Sequence, residues 1–294
     1  MPSLKLKPWI LAARPKTLLA GIVPVWLGSV LPIHFGLDTS LCLAFLILAS
    51  CLCIQIATNL FNDVIDHDKG ADTAERKGPQ RATQSGLLSR KAVWLGAIGF
   101  LGLAALFALP LIQLRGWPVL AIGIPSLFFA YGYTGGPFPL AYRGLGELFV
   151  IIFFGVVAMT GAYFIQTGTW SHQPVVLGLQ VGQLSTVLIA INNLRDVAED
   201  KKAGKRTLAV RFGKDFARCE IAFFCIFPVM MGGHWMHHQM PAFTLPFLTY
   251  AVSALIIWKV FTTEPGPVYN KWLALAALQL LVFGCLFTIG ILSK

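Results

Sequence analysis

From Leu41 to Thr58 the chain reads LCLAFLILASCLCIQIAT, eighteen residues without a charge. A helix of that length rises about 27 Å, close to the hydrocarbon thickness of a bilayer. The run extends over 41–62, and eight more stretches repeat its character: 17–35, 92–112, 117–133, 145–166, 174–193, 219–236, 243–261 and 272–291. Only 12% of the residues are charged, where a soluble domain carries about a quarter. Mean hydropathy is +0.71. Helices satisfy their own backbone groups in lipid, and the period-two alternation of a membrane barrel is absent. The expectation is an all-α polytopic membrane protein: one domain, residues 1–294, with nine transmembrane helices and the lipid bilayer as its solvent. No cleavable signal peptide is expected.

The charges test that count. With a cytoplasmic N-terminus, 21 of the 23 lysines and arginines fall on the inner side or its boundary; only Arg115 and Lys294 do not. That skew follows the positive-inside rule, and one span more or fewer would scramble it. The formal charge of +10 is thereby absorbed by topology and anionic lipid, and no nucleic-acid partner is called for. The six cysteines lie in or beside apolar spans, with no C-x-x-C, and read as small apolar residues. His234, His237 and His238 have metal-ligand spacing on paper but belong to the opposite face, where a loop histidine is the simpler reading.

The thirteen acids are not scattered. Asp63, Asp66, Asp68, Asp72 and Glu75 form one cluster; Asp196, Glu199, Asp200, Asp215 and Glu220 form another. Both follow even-numbered spans and so face one compartment. The segments NLFNDVIDHDKG and NNLRDVAEDKKAG share N-x-x-x-D-V, then acids, lysine and glycine. Four spans separate them, which suggests two parallel four-helix repeats plus a ninth helix around one central site. Asp63 and Asp66 are three apart, and Asp196 and Asp200 four apart. On a helix each pair shares a face, and Asn59 and Asn192 join it one turn earlier. Like charges at that spacing repel, and a membrane boundary adds desolvation, so a cation is the expected compensation. Carboxylate and amide oxygens suit Mg²⁺, Mn²⁺ or Ca²⁺ better than zinc. Lys69, Arg81, Arg195, Lys201, Lys205 and Arg206 lie in the same loops and suit phosphate oxygens. Acids and bases together describe a metal–diphosphate clamp at the mouth of an apolar bundle. Such a clamp fits a substrate with a charged head and an isoprenoid tail.

The chain resembles the UbiA superfamily of intramembrane aromatic prenyltransferases. NLFNDVIDHDKGAD and NNLRDVAEDKKAGKRTLAVRFG carry the likeness, with RPKTLLAGIVPVWLGS and YGYTGGPFPLAYRGLGEL in support. Among its branches the chain is most similar to the menaquinone-pathway branch, on INNLRD, GKRTLAVRFG and GPQRATQSGLLS. The resemblance implies Mg²⁺-dependent transfer of a polyprenyl group from polyprenyl diphosphate to 1,4-dihydroxy-2-naphthoate. CO₂ would be lost and demethylmenaquinol formed. Two Mg²⁺ ions would be bridged by the diphosphate, one on Asp63, Asp66 and Asp72, the other on Asp196 and Asp200. Four of these acids, Asp63, Asp66, Asp196 and Asp200, would be the catalytic set. Asn59, Asn62 and Asn192 would orient the ligands or touch diphosphate, and Lys69, Arg81, Arg195 and Lys201 would bind it. The commoner form of the first motif has its last acid at position 70, which is Gly70 here. The branch places that acid later, at Asp72, which leaves Asp68 as a spare.

Arg14 and Lys16 open the first span and reach toward the same mouth or anchor it. Tyr131 and Tyr133 are cation-stabilising or interfacial aromatics. Glu147 is either a base or a helix-start charge. The rivals are the same fold with another acceptor, such as 4-hydroxybenzoate or homogentisate, and a cation or metabolite transporter. Acids gathered at one boundary rather than the midplane argue against transport. A prokaryotic inner membrane, with the site mouth facing the cytoplasm, is the expected location.

Overall fold

A computed structural model describes residues 6–72, 77–238 and 244–293, with the side chains of residues 236–238 left aside. Glu75 of the first acidic cluster therefore lies outside the described residues, as do the side chains of His237 and His238. The helices run α1 (Leu6–Ala13), α2 (Pro15–His34), α3 (Leu41–Asp68), α4 (Arg90–Arg115) and α5 (Trp117–Gly132). A continuous rod follows, made of α6 (Gly146–Phe149), a wide π-helical stretch Val150–Val157 and α7 (Ala158–Thr167). Then come α8 (Gln173–Arg195), α9 (Val197–Lys202), α10 (Leu208–Phe212), α11 (Lys214–Met230), α12 (Tyr250–Thr262) and α13 (Tyr269–Leu292). Among the described residues there is no strand.

Among the described residues eight rods are long and apolar enough to span a bilayer; α5, the expected fourth span, has 16 residues and falls short of that length. Each of the other apolar stretches has its helix. The difference that bears on the site is in α3, which continues past residue 62 to Asp68. Ser40 caps its start by accepting from the Leu43 amide. Lys69 and then Gly70, with φ +68°, end it. The extension matters because it puts Asp63 and Asp66 on a helix rather than in a loop.

Burial is reversed relative to a soluble protein. Leu41, Trp117 and Phe128 are exposed, at 90%, 75% and 65%, whereas Asp66, Asp63 and Arg195 are at 0–1%. An apolar rim with charged groups inside is the arrangement a bilayer imposes. The centre is α8, with 78% of its apolar window buried, against 17% for rim helix α4. Leu177, Val181 and Leu184 of α8 pack with Val23 and Leu27 of α2 and Phe283 and Phe287 of α13. Further along, Ile191 and Leu194 pack with Ile221, Ile256 and Leu273.

The π-helical stretch lies against α8 with almost no side chain between. A methyl group on Gly182 would sit 2.7 Å from the Ile151 carbonyl oxygen, and one on Gly178 2.9 Å from the Val156 Cα. Only glycine permits that approach, which fixes the rod carrying Glu147 and Phe149 relative to the second acidic motif.

Candidate active site

A cavity of about 1130 Å³ opens between the ends of α3 and α8. Asp63 and Asp66 line it from one motif, and Asn192, Asp196 and Asp200 from the other. Ala20, Phe149, Val150, Phe154, Leu188 and Leu273 supply apolar wall. Six acids and six lysines or arginines line it, so the wall is formally neutral. An entering diphosphate would upset that balance unless cations came with it.

The first motif is held from outside its helix. After Gly70 the chain turns back and returns Arg81 over α3. Both oxygens of Asp63 accept backbone N–H groups, from Ala82 at 3.0 Å and Thr83 at 2.8 Å. Asp66 accepts from the Tyr142 hydroxyl at 2.8 Å, Lys205 at 3.0 Å and Arg81 at 3.3 Å. Arg81 also reaches Asp72 at 3.1 Å and Asn62 at 3.0 Å. Burial works against the charge on Lys205, but Asp66 and Asp200 outweigh it and hold the ammonium above the ordinary lysine range. Burial, and then the negative charge of Asp66, push the Tyr142 hydroxyl well above the ordinary tyrosine range, so it stays a hydrogen-bond donor.

The second motif is nearly self-contained. Arg195 grips Asp196 with two bonds, Nε to Oδ1 at 2.7 Å and Nη2 to Oδ2 at 2.6 Å. The same guanidinium donates to Asn192 at 2.6 Å and to Asn270 of α13 at 2.6 Å. Asp196 breaks the axis between α8 and α9, yet its carbonyl accepts from the Asp200 amide at 2.8 Å. One helical turn is therefore kept, and Asp196 and Asp200 face the same cavity as expected.

The UbiA prenyltransferase family profile matches residues 21–278. The chain belongs to the UbiA prenyltransferase family. It is 40% identical to the 1,4-dihydroxy-2-naphthoate octaprenyltransferase of Bacillus subtilis over 68% of this chain and 64% of that protein. The Haemophilus influenzae protein of the same name is 36% identical, over 86% of this chain and 80% of that protein. A solved UbiA homolog from Archaeoglobus fulgidus, bound to GPP and Mg²⁺, aligns with TM-score 0.62 at 18% identity. That alignment covers 95% of this chain and 99% of that one, and at this identity it speaks for the fold alone.

Within this UbiA chain, not every expected site residue reaches the cavity. Asn59, Asn62, Asp63, Asp66, Arg81, Asn192, Arg195, Asp196 and Asp200 line it. Asp72 is buried behind Arg81 and is not on the wall. Lys69 is drawn aside: its ammonium donates to the Thr134 carbonyl at 2.8 Å and lies 4.0 Å from the centre of the Tyr142 ring. Lys201 is exposed and off the wall, because α9 turns it outward while presenting Asp200 inward. The Asn59 amide is spent on the Ala13 carbonyl at 2.9 Å, which ties α3 to the end of α1. Asp68 points outward and forms a bidentate pair with Arg90 at 2.7–3.0 Å. Arg14 and Lys16 do line the cavity, Arg14 at a left-handed φ of 54° and donating to Asn62 at 3.1 Å. Of the two tyrosines, Tyr133 lines the cavity, while Tyr131 packs with Phe61 and Trp94. All six cysteines are unpaired, as expected of small apolar residues.

Tyr142, Asn193 and Asn270 were not singled out by the sequence. Tyr142 and Asn270 are single polar residues in unremarkable contexts, brought to the site by the fold, and Asn193 sits within the second motif beside Asn192. Among the described residues no three His, Cys, Asp or Glu side chains form a metal cage by themselves. The donor set is instead one or two carboxylates and amide oxygens on each side of a cavity. That is the partial oxygen shell Mg²⁺ accepts when phosphate and water complete it.

Proposed function

We propose that this chain transfers a polyprenyl group from polyprenyl diphosphate to 1,4-dihydroxy-2-naphthoate, with loss of CO₂, giving demethylmenaquinol. The observation that carries this reading is the meeting of two acid–base motifs on one cavity whose remaining wall is largely apolar. The names of the Bacillus and Haemophilus relatives support the acceptor. The ligands of the Archaeoglobus homolog support an isoprenoid diphosphate and Mg²⁺.

Asp63 and Asp66 would hold one Mg²⁺ from the cavity wall, joined by Asp72 once its pair with Arg81 opens, and Asp196 and Asp200 would hold a second. Bound there, Mg²⁺ neutralises the leaving diphosphate. Arg81, Arg195 and Lys205 are the motif cations on the cavity wall, and they bind diphosphate oxygens. Asn62 and Asn192 hold the guanidinium groups of Arg81 and Arg195 in place. The apolar wall keeps water from the allylic cation as the carbon–oxygen bond breaks.

The same reading takes residues 1–294 as one domain crossing the membrane nine times, with α5 as the short fourth crossing. It keeps the two four-helix repeats. The positive-inside skew supports a cytoplasmic N-terminus and site mouth, in a prokaryotic inner membrane.

The test is a membrane assay with farnesyl diphosphate and Mg²⁺, in parallel with 1,4-dihydroxy-2-naphthoate or 4-hydroxybenzoate. Prenylated naphthoquinol in the first tube alone is expected. Product only in the second tube overturns the acceptor, and ion flux without product in either overturns the transferase reading.

A further inference from the structure

Glu147 belongs to neither acidic motif. It sits at the start of α6, is 4% exposed, and lines the cavity. Its Oε1 accepts from the Asn193 side-chain amide at 2.7 Å. Its Oε2 is buried and has no hydrogen-bond partner. The cavity cations of the motifs are committed elsewhere: Arg81 to Asp66 and Asp72, Arg195 to Asp196, Lys205 to Asp66. A buried carboxylate oxygen with nothing to accept from is costly, and natural proteins keep few of them away from a function. It stands in the first turn of the rod, where a helix start favours a carboxylate, but that position calls neither for near-complete burial nor for an oxygen left without a partner.

The surroundings are aromatic. Tyr133, Phe149 and Phe154 line the same cavity. The Tyr133 and Phe149 rings are 5.3 Å apart, and Phe149 stacks on Phe153 at 4.4 Å. Tyr133 and Glu147 are close: the Tyr133 hydroxyl lies 3.0 Å from where a methyl group on Gly146 would be. A flat apolar surface beside a carboxylate oxygen in want of a donor suits a hydroxylated aromatic ring.

The geometry points to Glu147 as the residue that takes and returns the proton of the aromatic acceptor, with Asn193 as its positioning residue and the Tyr133 and Phe149 rings as the acceptor's seat. This rests on the function proposed above. As the ring carbon bearing the carboxylate bonds to the prenyl carbon, the prenyl carbon–oxygen bond breaks and its electron pair leaves with diphosphate. The neighbouring hydroxyl gives its proton to Oε2 and becomes a ketone. The carboxylate, now β to that ketone, departs as CO₂. Its bonding pair restores the aromatic ring, and the oxygen takes its proton back. Glu147 ends in the state in which it began.

Glu147→Gln is the discriminating variant, because glutamine keeps an oxygen for Asn193 and loses only the capacity to accept a proton. Full-length protein in lipid nanodiscs is assayed with farnesyl diphosphate, Mg²⁺ and 1,4-dihydroxy-2-naphthoate. The expected result is a kcat at least about 100-fold lower, a KM for farnesyl diphosphate within about twofold of the unsubstituted protein, and partial rescue in Glu147→Asp. A kcat within about threefold of the unsubstituted protein overturns the assignment, as does a loss of kcat matched by an equal loss of farnesyl diphosphate affinity. If Glu147→Gln does not fold, Glu147→Asp decides: a lowered kcat at unchanged donor KM supports the assignment, and full activity overturns it. If the unsubstituted protein makes no prenylated naphthoquinol, the function reading falls first and takes this one with it.

Discussion

The two acidic motifs look alike in sequence and are built differently. Asp196 is gripped by its chain neighbour Arg195, and Asn192 is bound to the same guanidinium from one turn away. Asp66 is gripped by Arg81, Tyr142 and Lys205, which lie 15, 76 and 139 residues further along the chain. The second motif thus arrives at the cavity largely assembled, while the first is assembled by the cavity. A local ion pair survives small shifts of the bundle. A site held by three separate segments depends on all of them, and so reports whether the fold is closed.

This contrast has measurable consequences. Asp66→Asn should have the largest effect, because it removes the common acceptor of two buried cations and a hydroxyl. Prenyl transfer should fall about 1,000-fold, or about 4 kcal/mol of transition-state stabilisation, in an initial-rate assay. Arg195→Met comes next. It leaves Asp196 buried without its pair, at a cost of about 3–5 kcal/mol in thermal or denaturant unfolding. Its effect should stay with α8, α9 and their contact at Asn270 of α13, so hydrogen exchange over residues 81–90 should be unchanged. Altered protection there would break the claim that the second motif is self-contained. Tyr142→Phe removes one hydrogen bond to a charged carboxylate, worth about 1.5–3 kcal/mol. A roughly tenfold rate loss with little change in acceptor KM is expected, and no loss would mean that the first motif needs fewer remote partners. Asp68→Asn is the smallest. The Asp68–Arg90 pair is exposed, so the unfolding midpoint should be nearly unchanged and activity should move by less than about twofold.

Asp68 and Asp72 also show where sequence reading stops. Both flank Gly70, both are acids, and nothing local ranks them. The helix end decides: α3 stops at Asp68, which leaves that side chain on the outer surface with Arg90, and the left-handed Gly70 turns the chain so that Asp72 meets Arg81. Lys69 and Lys201 illustrate the same limit: α9 turns Lys201 outward beside Asp200, and Lys69, just past the end of α3, is held by the Thr134 carbonyl. Glu147 is the opposite case. Its position in the sequence looked like an ordinary helix start, and its burial and bond to Asn193 give it a different character.

The sequence by itself determined the solvent and nearly every rod, because apolar length is a local property that a bilayer reads directly. It also determined which acids share a face, because carboxylates three or four residues apart have that relation wherever a helix forms. Which groups neutralise the acids of the first motif was decided only by tertiary structure. Tyr142 and Lys205 reach Asp66 across 76 and 139 residues of chain, and Asn270 reaches Arg195 across 75. No local pattern encodes such meetings. They follow from how α3, α8 and α13 pack, and from the glycine contacts that let the Glu147 rod lie against α8.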